Sequence, residues 1–223
     1  MDTLYNKLSE KISDLILAVI ALGLLVVSVE YVQIITDNPQ MLKNPDFWKR
    51  IALTSLVTAF TAYKFVAYSA YFCNPDNCQR LAGLSEWRIV VLFLLDLVEV
   101  TLVAWLYAVM LIGHLTSLGD AIVSSDIALG ATTIPFLFLF LALWHLTVLL
   151  WYLVARGSRR DRRVHAGFMA AYLLAMMLLS LPDIDPIREL TDWLAIAFFA
   201  ACVGLLYRLK AIPDIRAAAR SGD

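Results

Sequence analysis

Four ionisable side chains lie inside long apolar runs of this sequence, where a charge is expensive to bury. They are Lys64, Asp96, Glu99 and His145. An ionisable group within a membrane span costs about 2.5–3.5 kcal/mol on insertion scales, so it persists where it is paired, hydrated or functional. Such groups mark ion paths, proton relays or buried ion pairs, which makes these four the first candidates for chemistry.

The position of each group along its apolar run predicts which of them meet. At the rise of an α-helix, Lys64 lies about 4 Å from the centre of its run, and Glu99 and Asp96 lie about 3 Å and 7 Å from the centre of the next. Consecutive runs joined by a short loop pack side by side, and all three groups are displaced towards the same side. A spacing of three places both carboxylates on one helix face. We therefore expect a Lys64–Asp96–Glu99 cluster with one negative charge in excess.

A stripe of polar residues extends this cluster along the second apolar run. Its members recur at steps of three and four residues, which places them on one helix face about 140° wide. They are Thr54, Thr58, Thr61, Lys64, Tyr68 and Tyr71. Because lipid offers hydroxyls no partner, we expect this polar stripe to face the bundle, a subunit interface or water. We interpret it as the lining of an ion path; the alternative is that it only locks helices together.

The histidines and two of the cysteines are weaker candidates. A lone histidine among Leu and Trp, as His145 is, is typically hydrogen-bonded to a neighbour. His114 and His165 lie near run ends at opposite faces, so b-type haem ligation is not expected. Cys73 and Cys78 fall in a loop that we expect to be cytoplasmic and reduced, and they lack the histidines of a zinc site. With the opposite topology, a short disulfide between them is favoured.

Sequence signals of enzymes and of nucleic-acid binding are missing. The chain has no His-Glu-x-x-His, Gly-x-Ser-x-Gly or phosphate-binding glycine loop. We therefore expect no enzyme activity, no catalytic residues, no cofactor and no metal. The formal net charge of −1 gives no basic surface for nucleic acid.

The secondary structure that positions these side chains can be predicted from the composition. The composition indicates membrane-spanning helices. Hydrophobic residues make up 61% and charged residues 17%, against about 25% charged in a soluble domain. The mean hydropathy is +0.75. We expect an all-α bundle of about six transmembrane helices in one multi-pass domain, residues 1–223. The first run is too long for a signal peptide, so we expect it to be retained. The runs are 15–35, 51–72, 89–113, 133–155, 167–181 and 192–207, of which the last two are short for a bilayer.

The distribution of Lys and Arg predicts the orientation. Thirteen of the 18 basic residues fall on the side that holds both ends of the chain, four fall on the other side, and Lys64 lies within a run. Three of those four, Lys43, Lys49 and Arg50, lie in the 36–50 loop. We expect both ends in the cytoplasm, and the plasma membrane (the inner membrane in a bacterium) as the location. The loop that decides the orientation holds Arg159, Arg160, Arg162 and Arg163, which we also expect to contact lipid or a protein partner.

Residues 114–131 are the least regular part of the sequence. They contain glycines, serines and threonines around a short apolar stretch. An interfacial helix, a re-entrant loop and a simple connection all fit this composition, and a simple connection is the commoner outcome for such loops.

Our first hypothesis for function is a small oligomeric channel for cations or protons, lined by the polar stripe and the two carboxylates. A six-helix bundle rarely encloses a wide pore, so we expect a homo-oligomer in the lipid bilayer, with a separate cytoplasmic protein as a possible regulator. The excess negative charge favours cations or protons. The alternatives are a proton-coupled secondary transporter of a small solute and a non-conducting membrane scaffold subunit.

Overall fold

The computed structural model describes residues 4–73, 75–115, 133–180, 188–213 and 215–216, and every regular element within these ranges is helical. A 3₁₀ helix, Pro39–Lys43, connects α1 to α2, and a π-helical turn, Tyr207–Ala211, follows α7. The α-helices are α1 Leu4–Asp37, α2 Pro45–Cys73, α3 Pro75–Ala82, α4 Glu86–Leu115, α5 Thr133–Val154, α6 Arg159–Leu179 and α7 Arg188–Leu206.

Five helical segments among the described residues are long and apolar enough to cross a membrane. They are Lys11–Asp37, Pro45–Phe72, Glu86–Met110, Thr133–Val154 and Leu190–Ala211. The described residues are therefore all-helical as predicted, with five helices suited by length and composition to cross a membrane. The predicted run 167–181 lies largely in α6, which is not one of the five segments because its first turns are rich in arginine. Most of the predicted 114–131 segment lies outside the described residues.

The start of α2 corrects one prediction. Residues Lys49 and Arg50 were assigned to the 36–50 loop, but α2 already begins at Pro45. Asn44 precedes that proline, and its side-chain oxygen accepts a hydrogen bond from the Asp46 backbone N–H (2.9 Å). An asparagine cap followed by proline is a strong helix start. The basic pair lowers the local hydropathy, which is why the apolar run alone places the start several residues too late.

A tight turn makes α5 and α6 an antiparallel hairpin. Arg156 adopts a left-handed conformation, with φ of 55°. The Gly157 N–H donates to the Tyr152 carbonyl (2.8 Å) and the Arg156 N–H to the Leu153 carbonyl (3.4 Å), the pattern of a Schellman motif. Ser158 then caps α6, its hydroxyl accepting from the Asp161 N–H (3.1 Å). The turn therefore fixes how residues of α5 and α6 face each other.

Helix α2 lies at the centre of the packing. It contacts α1, α4 and α7, while α5 packs between α4 and α6. Aromatic side chains join α2 to α5: the Phe60 and Trp144 rings are edge to face, with centroids 4.8 Å apart. On the other side, α1 approaches α4 closely because a side-chain carbon at Gly23 would lie 2.6 Å from the Tyr107 ring. The polar stripe of α2 is thus enclosed by its neighbours.

Candidate functional site

The predicted charge cluster forms between α2 and α4. Lys64 makes an ion pair with Glu99, whose side chain is fully enclosed at 1% exposure. The Lys64 ammonium also lies 4.8 Å from the centre of the Tyr68 ring and 5.8 Å from that of Trp144. Breaking such a pair leaves an uncompensated charge in a low dielectric, so each partner requires the other. The juxtaposition predicted from depth along the helices is present.

Asp96 joins the cluster through a stripe residue. It lies one helical turn before Glu99 and is equally buried, and the Tyr68 hydroxyl donates to its carboxylate (3.1 Å). Tyr68 therefore contacts both sides of the cluster, with its ring on Lys64 and its hydroxyl on Asp96. If all three groups are ionised, the cluster carries one net negative charge. We refer to Lys64, Asp96 and Glu99 as the charge cluster.

Hydroxyl groups continue the stripe towards the start of α2. Thr54 bonds to the Tyr31 hydroxyl of α1 (2.8 Å). Thr61 bonds to the Tyr107 hydroxyl of α4 (3.1 Å), which also donates to Thr58 (3.4 Å). Hydroxyl bonds join Tyr107 to Thr58 and Thr61, while Tyr31 and Thr54 form a separate pair among these five side chains. We call them the hydroxyl network.

A cavity lies beside the charge cluster, towards the end of α2. Its volume is about 40 Å³, which is room for a few water molecules. Tyr71, the last member of the stripe, borders it, with its ring edge-on to Trp151 at 5.1 Å between centroids. The lining residues are Tyr63, Lys64, Ala67, Tyr68, Tyr71, Phe72, Glu99, Trp144, Val148, Trp151, Tyr152 and His165.

His145 lies apart from the charge cluster and forms a pair that the sequence analysis missed. Its Nδ1 is 2.9 Å from Nδ1 of His165 on α6, and both rings are buried. One nitrogen must donate and the other accept, so at least one Nδ1 carries no proton. Phe168 and Tyr172 stack against the His145 ring. His165 lines the cavity and His145 is not among its lining residues, so His145 is linked to the cavity through its contact with His165.

A second charged group lies at the start of α2. Lys49 pairs with Asp46 (2.9 Å) and with Asp192 of α7 (3.1 Å). Arg50 donates to the Met110 carbonyl of α4 (3.0 Å) and is near enough to interact electrostatically with Glu30 of α1. Both basic side chains are 3% exposed. Arg50 thus extends the polar face of α2 by a further turn, and Lys49 joins α2 to α7.

Basic residues surround the opposite end of the bundle. Asp161, the carboxylate among the arginines of the first α6 turn, pairs with Lys210 (2.8 Å). Lys210 also lies over the Tyr152 ring at 5.2 Å. Arg159, Arg160 and Arg163 are exposed, and Arg162 is half-buried. The arginines predicted to contact lipid or a partner therefore lie at the surface of the bundle, whereas Lys210 is buried.

Of the two loop cysteines, the structure describes the side chain of Cys78. Cys78 carries a thiol that donates to the Phe72 carbonyl oxygen (3.1 Å), so it helps α3 to cap the end of α2. The Cys73 side chain lies outside the described part of the structure. Within the described ranges, no three His, Cys, Asp or Glu side chains come together in a group that could hold a metal ion.

Comparison with known proteins returned no relative: no family model, curated protein or solved structure matches the chain. The site is therefore interpreted from its own geometry. That geometry is one polar helix face, with a hydroxyl network over its first half and a charge cluster beside a cavity over its second half.

Proposed function

We propose that this chain is a small ion-conducting membrane protein, in which the polar stripe of α2 carries protons or small cations across the bilayer. The observation that supports the proposal best is the charge cluster beside the cavity. Each ionisable group within a span costs about 2.5–3.5 kcal/mol on insertion scales. Hydrogen bonds between spans hold helices together at about 0.6 kcal/mol each without that cost. Joining two helices through charged groups therefore costs more free energy than joining them through hydroxyls, which favours a second role for the charge cluster in ion conduction.

The proposal includes six spans with both ends in the cytoplasm. The span added to the five long apolar segments is α6, the fifth in chain order. Its 21 residues correspond to about 32 Å, close to the hydrocarbon thickness. Its first-turn arginines would lie at the interface, where long basic side chains reach the headgroups. Reporter fusions at Gly157 and at residue 223 should then indicate the cytoplasm, and one at Asp126 the outside. An outside signal at Gly157 would overturn this topology.

We also propose that the chain assembles as a homo-oligomer through α7. Exposed small residues on α7, Ala197, Ala201 and Gly204, allow another helix to approach closely. A side-chain carbon at Gly204 would meet nothing within 4 Å. The exposed arginines of α6 would hold anionic lipid headgroups or a cytoplasmic protein that regulates conduction.

A non-conducting scaffold subunit is the second candidate. The observation in its favour is that the hydroxyl network is satisfied inside the bundle, since Tyr31 and Tyr107 partner the threonines of α2. In a scaffold, the charge cluster would fix the register of α2 against α4 and nothing would cross.

Ion flux through proteoliposomes distinguishes these candidates. We would compare wild type with Asp96→Asn and Glu99→Gln at matched protein content, under imposed gradients of protons, sodium and potassium. The matched control is Thr101→Val: Thr101 lies on the same helix but is exposed, and its hydroxyl bonds only within α4, to the Leu97 carbonyl. Ion conduction predicts flux in wild type and in the control, with a changed rate or selectivity in both carboxylate variants. Absence of any ion flux in wild type would favour the scaffold.

The same vesicles test the transporter alternative. A channel passes its ion down a gradient without another solute. Flux that appears only when a small solute is added, and that saturates with its concentration, would replace the channel with a proton-coupled transporter.

A further inference from the structure

We infer that the conducted ion is the proton, carried past the charge cluster by water molecules in the cavity; this inference rests on the proposed ion conduction. Three observations lead to it: the chemistry of the cavity lining, the charge balance of that lining, and the full burial of Thr61 in the hydroxyl network.

The cavity lining is rich in hydrogen-bond donors that have no partner in the described structure. The Tyr71 hydroxyl and the indole N–H groups of Trp144 and Trp151 are buried and make no hydrogen bond with described residues. All three side chains border the cavity. A buried donor without a partner costs about 1–3 kcal/mol, so a partner in the cavity is expected. Since an indole only donates, that partner must be an acceptor, and a water oxygen fits the available volume.

The charge balance of the lining disfavours a metal cation. Selective cation sites are built from rings of carbonyl or carboxylate oxygens that replace the hydration shell. Here the one carboxylate in the lining, Glu99, is already paired with the Lys64 ammonium, which repels a second cation. A small anion would in turn be repelled by Glu99, so neutral water is the species that the lining fits.

Protons can continue where water and metal ions have no space. The Tyr107 hydroxyl lies within hydrogen-bond distance of the hydroxyls of both Thr61 (3.1 Å) and Thr58 (3.4 Å). A hydroxyl that accepts a proton on one side and releases one on the other passes charge without moving its oxygen. Thr61 is fully buried, so a sodium or potassium ion would have to displace packed side chains there.

In the transfer past the cluster, Glu99 accepts a proton from one water in the cavity and releases a proton to another water in the same cavity. The number of protons bound is the same before and after, and no group is consumed. While Glu99 is neutral, the Asp96 carboxylate, bonded by Tyr68, balances the charge on Lys64. The other titratable groups that border the cavity are Tyr63, Lys64, Tyr68, Tyr71, Tyr152 and His165.

The test separates protons from metal ions in vesicles of wild-type protein. A trapped pH-sensitive dye reports proton entry after a pH step in choline chloride, with tetraphenylphosphonium present to cancel the membrane potential. Uptake of radioactive sodium and rubidium is measured in parallel. We expect a proton signal in choline, and metal uptake no faster than in protein-free vesicles. Metal uptake in wild type would overturn the inference while leaving ion conduction in place. No flux of any ion would overturn the proposed function itself.

Two variants then test the role of the cavity. Ala67 borders it, so Ala67→Leu should displace the water and slow proton entry by roughly tenfold. Ala104→Leu makes the same change on the exposed face of α4 and should leave the rate unaltered. Trp151→Phe keeps a ring but removes an N–H donor, which covers the case in which Ala67→Leu does not fold. If both folded cavity variants conduct protons at the wild-type rate, the water-filled cavity is not on the path.

Discussion

The two halves of the polar face of α2 are held by different chemistry. In the first half, Thr54, Thr58 and Thr61 bond to hydroxyls of neighbouring helices. In the second half, Lys64 pairs with a carboxylate, Tyr68 bonds to another, and Tyr71 borders a cavity. Sequence spacing gives no sign of this division, because all six residues fit one helical repeat.

The contrast indicates that the two halves contribute differently to stability. Hydroxyl bonds between spans contribute about 0.6 kcal/mol on average, since the unfolded chain in the membrane also finds partners. A buried ion pair has a large desolvation cost that only its partner offsets. Removing one group should therefore have a small effect in the hydroxyl network and a large one in the charge cluster.

The largest effect is expected from Lys64→Met. This change leaves Glu99 charged and unpaired at 1% exposure, so it should destabilise the protein by about 3–5 kcal/mol. The triple change Lys64→Met, Asp96→Asn, Glu99→Gln removes all three charges and should destabilise less than the single change. Thermal unfolding in detergent measures both. A triple variant whose loss equals the sum of the three single losses would show that the groups do not interact.

An intermediate effect is expected where α1 meets the hydroxyl network. Gly23→Ala places a carbon 2.6–2.9 Å from the Tyr107 ring atoms and must displace that ring, at a cost of about 1–3 kcal/mol. Gly204→Ala is the matched control, because its new carbon meets nothing within 4 Å. Its stability should be unchanged or slightly higher, as alanine favours helix. The same unfolding assay applies, and equal stability of the two variants would place Tyr107 elsewhere.

The smallest effect is expected from Tyr107→Phe. The ring and its packing remain, while Thr58 and Thr61 retain bonds to carbonyls of their own helix (2.8 and 3.0 Å). The loss should be about 0.6 kcal/mol and no more than about 1.7. A loss as large as that of Lys64→Met, measured in the same detergent, would remove the distinction between the two halves.

The sequence predicts which residues of α2 share a face, but it does not predict which residues of the neighbouring helices contact them. Steps of three and four residues suffice to place the stripe on one face, and depth along consecutive helices suffices to bring Lys64 to Glu99. The donors from other helices are not predictable in this way. Tyr31 and Tyr107 lie in apolar helices whose rotation about their axes is set by packing, such as the contact at Gly23, and no periodic pattern reveals it.

His165 shows why some of the site is missed. His145 lies 11 residues before Arg156 and His165 lies eight residues after Gly157, and the antiparallel hairpin brings the two rings together. Treating the two apolar runs separately hides this relation, because the arginines that precede His165 place it outside its run. The turn geometry that decides the pairing depends on a left-handed arginine, a position usually occupied by glycine.

The measurement that tests the account most directly is proton entry into vesicles of Glu99→Gln and Thr61→Val compared side by side with wild type. If the two halves are consecutive parts of one proton path, both variants should conduct more slowly than wild type, although Glu99→Gln removes a charge and Thr61→Val only a hydroxyl. Thr101→Val, on the exposed face of α4, should match wild type. If all four proteins conduct alike, or if wild type admits no protons, the polar face of α2 is not a proton path.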